Sequence, residues 1–285
     1  MPLPDSRRGG AKSRRRIHEG EADAAGEENL LRLFPIFPSV RNDVDFRRLL
    51  SLCAAVALLG ALLSPRIAPG RGKGGFREEF SDLARWEEFS FPSIPRHSRY
   101  SVSEIDGVRA LKMESRASAS GLILKRTFSL RETPFLSFRA RVENVYRKGD
   151  ARRKEGDDYP LRIYVIFLER RENLSFFEKL FLTDNPFNLG DFVPISTLTY
   201  VWANRDWGEK IVTNPFSQRA KMYMIEKGEK NAGKWMIFRR NIRDDASRAF
   251  GSPPSDTFAI AVMNDSDNTG ESSISFLDFI EVSGE

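Results

Sequence analysis

An all-β fold, an antiparallel β-sandwich or jelly roll, is what this sequence predicts, and three observations carry it. Apolar and polar residues alternate with period two over many short runs, the pattern of strands that bury one face. Turn chemistry such as Asp106-Gly107 and Thr133-Pro134 separates those runs, at intervals that suit a sandwich better than βαβ units. Phe is unusually frequent at 22 residues, and aromatic and β-branched side chains fit a pleated, half-buried surface.

The first 75 residues belong to a different kind of chain. Residues 1–48 read as a disordered tail, in which Arg7, Arg8, Lys12 and Arg14-Arg15-Arg16 precede an acidic Gly/Ala stretch. Such a composition buries too little apolar surface to offset its ordering entropy. Arg47-Arg48 then introduce residues 49–63, an uncharged Ala/Leu run. A basic flank before an apolar run of this length resembles a signal sequence or a short signal anchor, and it falls short of the roughly 20 residues of a full span. Pro65 and Pro69, behind Ser64 and Ala68, make a poor cleavage site, and Leu52 before Cys53 argues against a lipoprotein signal. Residues 64–75 read as a Pro/Gly linker, leaving residues 76–285 for the β domain.

Within that domain, strands are predicted over residues 76–80, 86–91, 100–102, 110–114, 121–128 and 136–142. A charged loop, 147–155, leads into the central stretch, Gly156-Asp157-Asp158-Tyr159-Pro160-Leu161-Arg162-Ile163-Tyr164-Val165-Ile166-Phe167. Alternation puts Leu161, Ile163, Val165 and Phe167 on one apolar face. Asp158, Arg162, Tyr164 and Ile166 share the other, which suits a partly wet surface, a polar ligand, or simply an Asp158–Arg162 ion pair. Residues 172–195 interrupt the β pattern with a helical or looped apolar insert. Strands resume at 198–203, 221–226 and 234–242, a short helix is predicted near 243–251 with Gly251 as its stop, and strands at 258–263 and 273–282 flank the turn Asp265-Ser266-Asp267-Asn268-Thr269-Gly270.

Composition excludes several chemistries. One cysteine, Cys53, and two histidines, His18 and His97, leave no disulfide framework, no Cys/His metal centre and no basis for a serine–histidine triad. A metal here would be oxygen-ligated, with Ca²⁺ the natural option. No continuous basic stripe points to nucleic acid, and no glycine-rich phosphate loop opens a helix.

What remains is two acid-bearing turns far apart in the chain, Asp157/Asp158 and Asp265/Asp267. If strand ends bring them together, they would form a Ca²⁺ site through Asp265 and Asp267, an acid/base pair for glycoside hydrolysis, or merely turn caps bonding nearby backbone N–H groups. An EF-hand fails, because its twelfth position, counted from Asp265, is Phe276 and a bidentate Glu is required there. Arg162, Tyr164, Asn214 and Asn268 are the polar groups expected beside these acids. Trp202 and Trp235 are the expected sugar-stacking platforms, with core packing as the alternative reading of both.

Several stretches together identify a family resemblance: Gly156-Asp157-Asp158-Tyr159 into Arg162-Ile163-Tyr164-Val165-Ile166-Phe167, Tyr200-Val201-Trp202-Ala203-Asn204, Asn214-Pro215-Phe216, Gly233-Lys234-Trp235, Arg239-Arg240-Asn241-Ile242, and Met263-Asn264-Asp265-Ser266-Asp267-Asn268-Thr269-Gly270. From about residue 76 onward the chain resembles an uncharacterised bacterial family, domain of unknown function 3047 (DUF3047), departing from it in the apolar insert. The resemblance implies a galactose-binding-like sandwich similar to carbohydrate-binding modules and a place in the cell envelope, periplasmic or extracytoplasmic. It transfers no catalytic residue. The resulting expectation is an exported, non-catalytic module that binds a carbohydrate or envelope glycan and meets the membrane through residues 49–63. A glycan hydrolase using paired Asp, or a structural adaptor of the envelope, are the alternatives.

Overall fold

The computed structural model describes residues 70–71, 74–174 and 189–284. The tail, the signal or anchor run and most of the 172–195 insert therefore lie outside the described residues. Among the described residues, no helix is long and apolar enough to cross a membrane.

Fourteen strands follow in chain order: β1 (Gly70–Arg71), β2 (Phe76–Glu78), β3 (Trp86–Ser90), β4 (Arg99–Ile105), β5 (Val108–Arg116), β6 (Ser120–Ser129), β7 (Phe135–Val142), β8 (Arg162–Arg170), β9 (Phe192–Ala203), β10 (Ile211–Thr213), β11 (Ala220–Lys227), β12 (Met236–Asn241), β13 (Thr257–Met263) and β14 (Ser272–Ser283). They build two sheets. One runs β1-β6-β13-β8-β9-β11-β10, with β3 also on β6; the other runs β12-β7-β14-β5-β4, with β2 also on β14. All pairings are antiparallel except β1 with β6 and β9 with β11. Among the described residues one α-helix, α1 (Ile242–Phe250), is capped at its start by the Asn241 side chain, which accepts from the Asp244 N–H, and at its end by Gly251 at φ 86°. A positive φ of this kind suits glycine.

The sandwich core confirms the alternation read from the central strand. Leu161, Ile163, Val165 and Phe167 are fully buried, together with Leu198, Tyr200 and Trp202 of β9, against Leu111, Met113, Phe138, Leu277 and Ile280 of the second sheet. The opposite face of β8 differs from a solvated surface. Ile166 lies in a second apolar cluster with Ile123, Ala259 and Ala261, covered by Phe89 and Leu189. Gly121 permits that cover: a Cβ there would lie 2.3 Å from the Phe89 ring.

At the end of the sandwich that carries the acid-bearing turns, the core becomes polar, and around Asn264 its groups are paired. The Asn264 amide donates to the Met113 carbonyl and Ser275 Oγ, while its oxygen accepts from Tyr146 and Ser273. Ser115 Oγ bonds Ser266 Oγ, and Ser98 Oγ donates to the Asn264 carbonyl. Pairing of this kind offsets the cost of burying polar groups. Here the pairing fixes where the chain turns between β13 and β14.

Candidate functional site

Gly156 starts the site. A Cβ at this position would lie 2.5 Å from the Asp150 backbone nitrogen, so only glycine lets the charged loop fold back on itself, where the Asp150 N–H donates to the Gly156 carbonyl at 2.7 Å. The next two residues then face inward. Asp158 is fully buried, and its carboxylate accepts from the backbone N–H groups of Asn268 (3.3 Å) and Thr269 (2.5 Å), 110 and 111 residues away. Its carbonyl accepts from the buried Asn204 amide at 2.7 Å. Asp158 therefore clips one turn onto the other.

Arg162, the first residue of β8, completes the clip. Its Nε donates to Asp265 Oδ1 at 2.7 Å and an Nη donates to Oδ2 at 2.5 Å, a bidentate fork. The same Nη donates to the Asp157 carbonyl, and the guanidinium stacks over the Tyr159 ring at 4.5 Å. Arg162 is thus buried and paired with Asp265, not exposed and paired with Asp158. A fork of this kind positions a carboxylate more strictly than a lysine could.

Asp157 is the least settled acid. One carboxylate oxygen accepts from the Asn214 amide at 2.7 Å and lies 3.6 Å from the Arg162 guanidinium; the other is buried with no hydrogen-bond partner. Asp158, Asp265 and Asp267 each offer an oxygen within 4.8 Å of one another. Four carboxylates therefore surround one guanidinium. Burial pushes the Asp265 carboxyl up to about 7, even against Arg162. It also raises Asp158 and the half-buried Asp267, where the carboxylate of Asp158 adds to the effect. For Arg162 burial opposes the charge, but the facing carboxylates hold it well above its ordinary pKa.

The sign of the resulting pH dependence follows. A carboxyl whose pKa is higher folded than unfolded holds its proton more tightly when folded. Its contribution to stability is complete below about pH 4 and is lost as pH rises through the folded value. With Asp265 at about 7, and Asp158 and Asp267 shifted in the same direction, the thermal midpoint should fall between pH 5 and pH 8 in a metal-free buffer. A flat or rising midpoint over that window, measured by calorimetry, would contradict the cluster's electrostatics.

The acids sit at one end of a cleft of about 570 Å³ on the outer face of the larger sheet. Register places Tyr164 opposite Ala261 on one side and Thr199 on the other, so the phenol stands between two small neighbours. It is half-buried and donates toward Met263 Sδ at 3.6 Å. Burial raises its pKa, so it keeps its proton. Asn214 and Phe216 close one side of the cleft, Phe91 and Ile94 another, and Asp267 with Asn268 the end.

Of the residues expected from sequence, Asp157, Arg162, Tyr164, Asn214, Asp265, Asp267 and Asn268 line this one cleft, with Asp158 buried behind it. Two expectations are corrected. Trp202 is fully buried between the sheets; its indole donates to the Gly228 carbonyl at 3.0 Å and meets the Phe238 ring edge-on. The register explains this: Arg162 faces Val201, so Val201 and Thr199 take the cleft face of β9 and Trp202 the core face. Trp235 precedes β12 on the second sheet, packed on Phe276 with the Arg139 guanidinium 4.8 Å from its ring, and it does not reach the cleft. Two aromatics of the cleft were missed by sequence reasoning, Phe91 and, 55% exposed at the rim, Phe216. The signal for Phe216 was an aromatic in a polar turn, directly after Asn214-Pro215.

A family described as "Protein of unknown function (DUF3047)" matches residues 84–281. A comparison with curated proteins found no match. Among solved structures, the chain is similar to the family 11 carbohydrate-binding module from Clostridium thermocellum in complex with a mixed-linked tetrasaccharide, at 9% identity, covering 75% of this chain and 97% of that one, with a TM-score of 0.35. It is similar to the family 30 carbohydrate-binding module of a Clostridium thermocellum cellulosomal cellulase, at 12% identity, 79% and 99% coverage and a TM-score of 0.33. It is also similar to the K2 cleaved adhesin domain of Lys-gingipain, at 11% identity, 73% and 99% coverage and a TM-score of 0.34.

Proposed function

The chain belongs to the DUF3047 family, and we propose that within it this β-sandwich is a non-catalytic, exported module of the cell envelope that binds a glycan in the cleft over Tyr164. One observation carries the reading: two turns more than a hundred residues apart converge on a sheet face and there combine carboxylates, an amide, a protonated phenol and an exposed Phe216. Glycan rings present apolar faces to aromatics and a dense edge of hydroxyls to acids and amides, and pockets of this kind join an apolar surface to a few placed polar groups. Asp267, Asn268 and Asn214 supply the polar edge; Phe216 and Tyr164 supply the surface. The export part of the proposal rests on the basic-then-apolar sequence at residues 47–63.

A hydrolase reading is less well supported by the same geometry. Asp265 has the raised pKa of a general acid, but both of its oxygens are held by Arg162 and it is buried, so it cannot approach a glycosidic oxygen. Cation assistance is better supported. The oxygens of Asp158 accept from the Asn268 and Thr269 N–H groups, Asp265 Oδ1 accepts from Arg162 and from the Tyr159 N–H at 3.2 Å, Asp265 Oδ2 accepts from Arg162 and keeps a lone pair, and Asp267 lies beside them. A Ca²⁺ held there would need water or ligand hydroxyls to complete six to eight oxygens, which would couple cation and sugar. Added Ca²⁺ should then replace the protons the cluster takes up and flatten the fall in midpoint between pH 5 and pH 8.

The test of the reading is a glycan array probed with the full chain, with and without Ca²⁺. Tyr164→Ala should lower retention of any bound glycan at least tenfold while leaving the circular dichroism spectrum unchanged. Release of shortened products, abolished by Asp267→Asn, would favour the hydrolase instead. Unchanged retention in Tyr164→Ala would remove the cleft from the account.

A further inference from the structure

The segment between β3 and β4 separates the acidic cleft from a second one of opposite charge. Phe91 and Ile94 face the first; Arg96 and His97, a few residues on, face the second, a concavity of about 580 Å³. Two more arginines reach it from the smaller sheet. Arg99 opens β4 and stands opposite Glu114, and Arg116 closes β5 and stands opposite Ser272. All three guanidinium groups belong to exposed residues. The only carboxylate in the cleft lining, Glu114, is already paired with Lys112 at 2.9 Å. None of the three arginines has a carboxylate partner among the described residues, whereas Arg77, Arg139, Arg141 and Arg240 elsewhere each do.

The presentation of Arg116 is fixed by the backbone. Ala117 follows it at φ 44°, a left-handed conformation that a residue with a Cβ adopts at some cost. The Ala117 N–H donates to the Glu271 carbonyl at 2.9 Å and the Arg116 N–H to Ser118 Oγ at 3.0 Å, and Ser118 belongs to the buried hydroxyl network. Three forks of donors, each of fixed planar shape, thus line one concave surface, and none of them is paired with its one lining carboxylate, Glu114. Guanidinium forks match the paired oxygens of carboxylate, sulfate and phosphate groups.

We propose that this basic cleft is a subsite for the anionic substituents of an acidic glycan, carboxylate or sulfate, whose chain passes over the segment carrying Phe91 and Arg96. The glycan as carrier rests on the reading of the Tyr164 cleft; the anion site rests on the arginines alone. The concavity would let the ligand approach with little solvent between the charges, and attraction of this type weakens with salt.

The experiment uses the full chain on immobilised polygalacturonate, dextran sulfate and neutral dextran at low and high NaCl. Its variants are Arg99→Glu/Arg116→Glu and a charge-matched control, Arg131→Glu/Lys230→Glu, on exposed residues away from the cleft. The basic N-terminal run is common to every variant, so differences between them report the groove. The expected result is retention on at least one polyanion, weakened at least tenfold by Arg99→Glu/Arg116→Glu and less than twofold by the control. The polygalacturonate and dextran sulfate arms separate carboxylate from sulfate. Equal losses in the two variants, or no retention on either polyanion, would overturn the proposal. If Tyr164→Ala leaves every glycan's retention unchanged while the arginine variant loses the polyanion, the anion subsite stands and the reading of the Tyr164 cleft fails.

Discussion

Arg162→Met should destabilise the domain by about 3–5 kcal/mol, the usual cost of removing one member of a buried ion pair. Among the described residues the guanidinium is the cation paired with this acid cluster, and both oxygens of Asp265 accept from it. Methionine fills much of the same volume, so the loss would be electrostatic and not a packing defect. The cost should be smaller at pH 5 than at pH 8, because Asp265, whose pKa burial already pushes to about 7, then carries its own proton. Replacing both partners, in Arg162→Met/Asp265→Leu, should recover part of the loss, since an apolar pair leaves no stranded charge. Urea unfolding at the two pH values measures all of this. A change below about 1 kcal/mol at pH 8 would show that Arg162 is not holding the turns together.

Trp202→Ala should cost a similar amount, about 3–5 kcal/mol, for a different reason: a large cavity between the sheets. The indole is fully buried against Phe238, and its N–H is the partner of the Gly228 carbonyl, which would lose that bond as well. The variant's unfolding midpoint should drop with an unchanged m-value, while the folded fraction keeps whatever the Tyr164 cleft binds. A stacking platform would give the reverse, full stability and lost binding. The two outcomes separate cleanly by denaturation and retention measured on one preparation.

The contrast shows which parts of this molecule are legible from its sequence. Leu161, Ile163, Val165 and Phe167 announce a buried face because period two is a local property, and the acids at 157–158 and 265–267 announce turns because Gly and Asp chemistry is local too. That the turns meet was an inference from strand ends, and the Asp158 and Arg162 clips make it physical. Trp202 was not legible in the same way. Its face depends on the pairing of β9 with β8, and a shift of one residue in that register would exchange Trp202 with Val201. The three-residue strand β10, Ile211–Thr213, was too short to give a period, and it exists because β11 supplies its hydrogen bonds. Phe216 stands at the rim only because β10 and β11 form that hairpin.

The strand order also has a bearing on how this domain can be made. β13 lies between β6 and β8, and β14 between β7 and β5, so two strands that follow the other twelve described ones in the chain are inner planks of both sheets. Until they arrive, each sheet is two separate fragments with bare inner edges, the kind of surface on which strands of other chains dock. A premature stop before Thr257 should therefore give an aggregating product and not a shortened, working one.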